Sequence, residues 1–288
     1  MKKILVIAFL ISSIINVAQE KAFIIYNAQG KKVSYKKMVK SLTKSDITLF
    51  GELHNNPISH WLQLEVTKSL GEKRDLILAA EMFERDNQKE LNDYLSGKID
   101  AKVLDSVARL WNNYETDYAP LVDYAKENKL QFIAANIPRR YASMVYKGDF
   151  KALDSLSIEE KSWIAELPIA YDKNLPGYQK MLEMMGGHGG ETFPKAQAIK
   201  DATMAESIYK AYEASMKLLT NLTLIHYNGA YHSNDYEGIL WYLKRRDTTL
   251  NYKTITTVSQ ENIKKLLEEN KGKADFIICV DEDMTTTY

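Results

Sequence analysis

The chain has 288 residues, with 38 lysines and arginines against 38 aspartates and glutamates, so its formal net charge is zero. The charges are interspersed, which argues against a nucleic-acid footprint or a patch for acidic membranes. A single cysteine, Cys279, excludes an internal disulfide and, inside the apolar run Phe276 to Val280, reads as packing rather than as a catalytic thiol.

At the start, Lys2 and Lys3 precede Ile4 to Ala18, a mostly apolar segment too short for a comfortable membrane span, followed by Ala18-Gln19-Glu20. Residues 1–19 are expected to be a signal peptide, with an uncleaved anchor as the alternative. No cysteine lies there to carry a lipid. The expectation is an exported protein, periplasmic or envelope-associated and not a lipoprotein. About 268 residues remain, enough for one large domain or one domain with a sizeable insertion.

Ala22 to Asn27, Ala28-Gln29-Gly30 and Lys31 to Tyr35 read as a β-hairpin. Apolar runs then recur at Ile47–Phe50, Leu76–Ala80, Phe132–Ala135, Leu222–Tyr227, Thr254–Val258 and Phe276–Val280, without clean alternation. Such runs suit parallel strands covered on both faces. Helical patterns separate them: Trp61–Leu70, Asn87–Leu95, Ala101–Leu110, Leu121–Glu127 and Asn262–Asn270. The alternation predicts an α/β fold, a parallel sheet flanked by helices. From Arg139 to Met216 no strand pattern appears. Asp149–Leu156, Ser157–Leu167 (opened by the capping box Ser157 to Glu160), Tyr178–Met185 and Ala196–Met216 read as helical. A small all-helical subdomain, 139–216, is therefore expected inside an α/β core made of 20–138 and 217–288.

The residues just beyond the strands carry the chemistry. Gly51 lets the chain turn before Glu52 and His54, with a helix expected from about Ser59. Glu81 follows Ala79-Ala80, with Glu84 and Arg85 behind it. Asn136, Pro138, Arg139 and Arg140 follow the third strand, and Asn228, Gly229 and His232 the fourth. In a parallel sheet these ends share one edge, where open α/β sheets place their sites. Glu52, His54, Glu81 and His232 are expected to meet in one pocket. There they could bind a metal, act as an acid/base pair, or form a structural polar network. Glu81 could equally pair with Arg85 or Arg139. His226, inside its strand, reads as a satisfied core histidine, and His60 as an early helix residue.

Several segments resemble the ChaN family of haem-binding uptake proteins: Gly51-Glu-Leu-His54 with His60, Ala80-Glu-Met-Phe-Glu-Arg85 with Gln88, and Tyr114 to Leu121. Ala134 to Arg139, Gln197-Ala with Asp201-Ala-Thr-Met-Ala205, and Gly229-Ala-Tyr-His232 continue the series, in order, from about residue 45 to 243. The resemblance implies a parallel α/β domain with a small helical domain and a link to haem-iron acquisition at the bacterial envelope. The wider superfamily includes Tiki-type metalloproteases and erythromycin-esterase-like hydrolases, which use the Gly-Glu-x-His element and a later histidine. The lipid-anchored cysteine common among ChaN proteins is absent.

Haem needs an apolar slot, an axial donor and cations for its propionates. The glycine-flanked His188 with Met184 and Tyr178, a tyrosinate such as Tyr118, Tyr114 or Tyr141, and the cations Arg139 and Arg140 are the sequence-level candidates. The function expected is haem or iron-porphyrin binding for uptake or storage. Candidate partners are an outer-membrane uptake machinery and a second copy of the chain, with no nucleic acid. The alternative is a metal-dependent hydrolase using Glu52, His54, Glu81 and His232 around a divalent transition metal. A third reading is an interaction protein whose polar sheet edge is purely structural. The segment from Arg139 to Gly190 is expected to wall the haem slot.

Overall fold

The computed structural model describes residues 21–184 and 190–288. In chain order the elements are β1 (Phe23–Asn27), α1 (Tyr35–Leu42), β2 (Ile47–Glu52), α2 (Pro57–Gly71), β3 (Asp75–Glu84), α3 (Gln88–Leu95) and α4 (Ala101–Val107). Next come α5 (Ala119–Glu127), β4 (Gln131–Asn136), α6 (Arg139–Gly148), α7 (Ile158–Ser162), α8 (Pro176–Met184) and α9 (Thr192–Met216). The chain closes with β5 (Leu222–Gly229), α10 (Ile239–Arg246), β6 (Tyr252–Gln260) and β7 (Phe276–Asp281).

The strands form one sheet in the order β1-β7-β6-β2-β5-β3-β4. All neighbours are parallel except β1, which runs antiparallel to β7. Every residue of β2 and β5 is buried, because helices cover both faces. On one face Phe50, Leu78, Ile225 and Tyr227 pack with Leu62, Val66 and Leu70 of α2 and with residues of α3 and α5. On the other, Ile47, Leu49, Ile77 and Leu224 pack with Ala202, Ala205 and Ile208 of α9 and Leu240 and Leu243 of α10. This is the parallel α/β sandwich the apolar runs imply.

Two sequence expectations fail for local reasons. Lys31 to Tyr35 does not complete a hairpin; only one isolated bridge, Tyr26 to Lys32, forms, and Ser34 caps α1 instead. Asn262–Asn270 is not a helix. The Gln260 amide donates to the carbonyls of Asn262 and Lys265, and its oxygen accepts from the Leu267 N–H, so the backbone groups a helix would use are taken. Only a 3-10 turn, Glu268–Asn270, remains.

The interval 139–216 contains no strand among the described residues, but it is not helical throughout: the helix expected over Ser157–Leu167 stops at Ser162, and 163–175 is loop. The capping box at Ser157 and Glu160 starts α7 as its spacing predicts. Tyr141, Val145, Leu153, Ile164 and Ile199 form a small core of their own. The last helix of the interval, α9, serves two layers: its first turns join this small core, and its later turns cover the sheet.

Candidate functional site

The strand order sets the site. β2, β5 and β3 are adjacent and parallel, so their carboxyl ends deliver Glu52, the turn after Gly229, and Glu81 side by side. Glu81 is not beyond its strand, because β3 continues to Glu84 through an irregular register after Ala80. Gly51 does not turn the chain; it is a strand residue whose missing side chain leaves room. A Cβ there would lie 2.9 Å from the Ala230 Cα, in the 3-10 turn Ala230–His232. That close approach sets His232 beside Glu81.

Imidazoles and carboxylates alternate along this edge. His232 Nδ1 lies 2.5 Å from Asp201 Oδ1 on α9, and its Nε2 lies 3.2 Å from Glu81 Oε1. The other Glu81 oxygen accepts from the Gly229 N–H at 2.8 Å. Further along, His54 Nδ1 donates to Glu52 Oε1 at 2.8 Å. Glu52 is fully enclosed: Tyr118 donates to Oε1 at 2.7 Å and the Gln63 amide to Oε2 at 2.5 Å. With Nδ1 donating, His54 Nε2 is left without a hydrogen bond among the described residues, on a ring with 37% of its side chain exposed. Gly229 makes this possible, since a Cβ there would lie 2.6 Å from His54 Nε2.

Charge follows the geometry. Burial pushes the His232 imidazolium down, but Glu81 and Asp201 on either side overrule it and raise its pKa to about 10. Burial likewise opposes ionisation of Glu81, yet the His232 charge and hydrogen bond, then His54 and the Gly229 N–H, hold it well below the usual carboxylate range. For Asp201 burial prevails and pushes the carboxyl up, against the pull of His232. At His54 burial lowers the pKa, but the Glu52 hydrogen bond and the Glu81 and Glu52 charges carry it above the ordinary histidine value.

A cleft of about 640 Å³ opens over this row. His54, Glu81 and His232 form its floor. One wall is α6, with Ala142, Ser143, Tyr146 and Lys147; the facing wall is the start of α9, with Phe193, Ala196, Gln197 and Lys200. Trp111, edge-on to the His54 ring at 5.0 Å, closes one end. Arg139, Lys147 and Lys200 make no salt bridge among the described residues, so three cations are free to meet an anion. Haem requires apolar surface for the ring, an axial donor and cations for its propionates. Trp111, Ile137, Ala142, Tyr146, Phe193 and Ala196 supply the first within an otherwise polar cleft, His54 the second, and Arg139, Lys147 and Lys200 the third.

Glu52, His54, Glu81 and His232 thus come together. They do not make a metal centre, and among the described residues no group of three or more His, Cys, Asp or Glu is disposed to hold an ion. Their donor atoms are spent on one another: both His232 nitrogens face carboxylates, and Glu52 is saturated. Neither arginine of the alternative reading is the partner of Glu81. Arg85 pairs with Glu206 at 3.3 Å, and Arg139 offers Glu84 only its backbone N–H. Of the expected haem-site residues only Arg139 lines the cleft. Arg140 is bound to Asp86 and lies over Tyr141 and Trp163. Tyr118 lies beneath the floor holding Glu52, Tyr178 stacks on Tyr171, and Met184 points to solvent. His188 lies outside the described residues. Of the expected wall, α6 lines the cleft and α8 does not.

His226 is buried and its pKa falls to about 4 through burial, but only Nδ1 is paired, 3.2 Å from Asn228; its Nε2 has no partner among the described residues. His60 is a buried residue of α2 whose Nε2 donates to the His54 carbonyl at 3.0 Å. Sequence reasoning gave no role to Asp201, Gln63, Asn113, Asp117 or Trp111. For Asp201 a signal existed: a carboxylate among Ala198, Ala202 and Ala205 on one helix face needs a buried partner.

Residues 38–243 match the family model described as haem-binding uptake, Tiki superfamily, ChaN. A curated relative, the chloroplastic Protein RETICULATA-RELATED 5 of Arabidopsis thaliana, is 25% identical over 193 residues, 61% of this chain. The match spans only 26% of that protein's length. Among solved structures, ChaN of Campylobacter jejuni, described with cofacial haem binding, superposes with a TM-score of 0.64 at 18% identity, covering 89% of this chain and 96% of that one. An erythromycin esterase in its open conformation superposes at 0.51 with 10% identity, covering 89% and 97%. Both likenesses are of fold.

Proposed function

This chain belongs to the ChaN family of haem-binding uptake proteins, and on that premise we propose that it binds haem in the cleft between the sheet edge and the helices α6 and α9. The observation that carries the reading is His54. Its Nδ1 is fixed on the buried Glu52, so its Nε2 faces the cleft as the one open imidazole nitrogen of the row. A carboxylate behind an imidazole fixes its tautomer and raises its basicity toward a metal. His54 would hold the iron, Trp111, Ile137, Tyr146 and Phe193 would flank the porphyrin, and Arg139, Lys147 and Lys200 would take the propionates. Bound haem would supply the iron that is the cargo; the chain's own part is to orient one donor and exclude water from one face.

The reading extends to haem or iron uptake or storage at the bacterial envelope, supported by the signal-peptide pattern of Lys2, Lys3 and Ile4 to Ala18. An outer-membrane uptake machinery and a second copy of the chain are the partners it proposes. Haem titration tests the core of it. A saturable Soret shift is expected, displaced or weakened in His54→Ala. No saturable shift, or one indifferent to His54→Ala, would refute the reading.

The Glu52–His54 pair also favours a second reading. An imidazole oriented by a carboxylate, with one nitrogen free, is a general base able to activate water toward an ester in the cleft. That reading predicts turnover that survives a chelator and is abolished by His54→Ala.

A further inference from the structure

After β7 the chain does not leave the sheet. β7, β6 and β2 are parallel neighbours, so all three exit on the edge that carries the site. Crossing from β7 to β2 takes about 10 Å, two strand spacings. Residues 282–287 span it easily at about 3.3 Å each. Thr287 then makes two contacts on the loop behind His54. Its backbone N–H donates to the Asn55 carbonyl at 2.9 Å, and its hydroxyl donates to Asp117 Oδ2 at 2.9 Å.

Asp117 is the hub of a buried network. It belongs to the π-helical turn Tyr114–Tyr118, whose extra residue turns both Asp117 and Tyr118 inward. The same Oδ2 that accepts from Thr287 accepts from the Asn113 amide at 2.7 Å and lies 3.5 Å from His60 Nε2. Asn113 and His60 in turn both donate to the backbone carbonyl of His54, at 3.1 and 3.0 Å. The peptide of His54 is therefore held by two donors that one carboxylate oxygen aligns, and Thr287 fixes that oxygen. Next door, the Thr287 N–H pins Asn55.

We propose that Thr287 is a positioning residue for His54: the segment after β7 is a strap that sets the loop Leu53–Asn56 and so the direction of the imidazole. This rests on His54 being the group that meets the ligand. Thr287 touches no atom of the cleft; it acts through Asp117. Without its hydroxyl, Asp117 Oδ2 loses one of its two close donors, the Asn113 and His60 side chains gain freedom, and the Glu52–His54 geometry loosens.

The test separates this from the haem reading. Ring ¹⁵N signals of His54, identified by their loss in His54→Gln, are followed without ligand in wild type, Thr287→Val and Thr287→Ser. Valine keeps the shape and the backbone contact and removes only the hydroxyl. The expected result is a shifted or broadened His54 Nδ1 signal in Thr287→Val and recovery in Thr287→Ser. Unchanged His54 signals in Thr287→Val overturn the proposal, and so does a change that serine fails to rescue. Haem titration of the same set should show about a fivefold loss of affinity for valine alone, the size expected for one hydrogen bond. If His54 responds while wild type binds no haem, the strap stands and the haem reading falls.

Discussion

Gly229→Ala perturbs the geometry of His54 without straining the backbone. Gly229 has φ −55° and ψ 136°, which alanine adopts without strain, so the backbone can stay. The added methyl would lie 2.6 Å from His54 Nε2 and 2.7 Å from Cε1. That is roughly 0.9 Å short of an ordinary 3.5 Å contact. The ring must retreat by about that much, which stretches its 2.8 Å hydrogen bond to Glu52 beyond useful range. Losing a hydrogen bond to a charged group costs about 1.5–3 kcal/mol, or about 10- to 150-fold in an equilibrium constant. That loss falls on the free protein, so the melting temperature should drop by a few degrees with folding retained, and haem affinity should fall by up to a similar factor because the Nε2 direction is no longer set. Paired thermal melts and Soret titrations measure both. If affinity stays within about threefold of wild type while the protein remains folded, His54 is not the ligand.

The remaining predictions concern charge. His232 is raised from an ordinary 6.5 to about 10, so its stabilising contribution is complete below the ordinary value and is lost as pH climbs through 10. The melting temperature should therefore decline between pH 7 and 10, and the decline should flatten in Glu81→Gln; a wild type flat over that window would contradict the pairing. Glu81 works in the other direction, its contribution present above the ordinary 4.5 and lost as pH falls toward its depressed value. At the rim, Arg139→Ala with Lys147→Ala should weaken haem binding about two- to tenfold, as expected for exposed ion pairs, and blunt its salt dependence. Arg140→Ala, which removes a cation already bound to Asp86 outside the cleft, should not; equal effects from both would displace the propionates from this rim.

The layout of the sheet edge was legible because parallel strands announce themselves as continuous apolar runs and their ends must share an edge. Glu52, His54, Glu81 and His232 follow from that rule. Their partners do not. Asp201 sits on a helix that crosses the edge, and nothing in the strand pattern says that α9 passes over β5. Asp117 and Tyr118 face inward together only because a π turn inserts a residue, which no 3.6-residue periodicity predicts. Asn262–Asn270 shows the converse: a helical pattern overridden by one side chain, Gln260, that captures the loop backbone. The alternative pairing of Glu81 with Arg85 or Arg139 does not occur, because Arg85 follows a strand that runs on past Ala80, which carries it to Glu206, and Arg139 meets Glu84 only through its backbone N–H.

The two imidazoles of the row are in different chemical situations, and that difference decides where a ligand can act. His232 faces a carboxylate at each nitrogen and is fully buried; it is a structural cation that keeps Asp201 and Glu81 together. His54 faces a carboxylate at one nitrogen only. Any group entering the cleft therefore meets a floor with the Glu81 carboxylate, two imidazoles and a single open lone pair, with Glu52 and Asp201 buried behind the imidazoles. Such a floor favours a cationic or Lewis-acidic centre at His54 and repels anions toward the rim. A porphyrin has that polarity, with a metal at its centre and carboxylates at one edge, where Arg139, Lys147 and Lys200 wait. A neutral ester would use the open nitrogen but would leave the three rim cations without a purpose, and that asymmetry is why haem is the preferred occupant of this cleft.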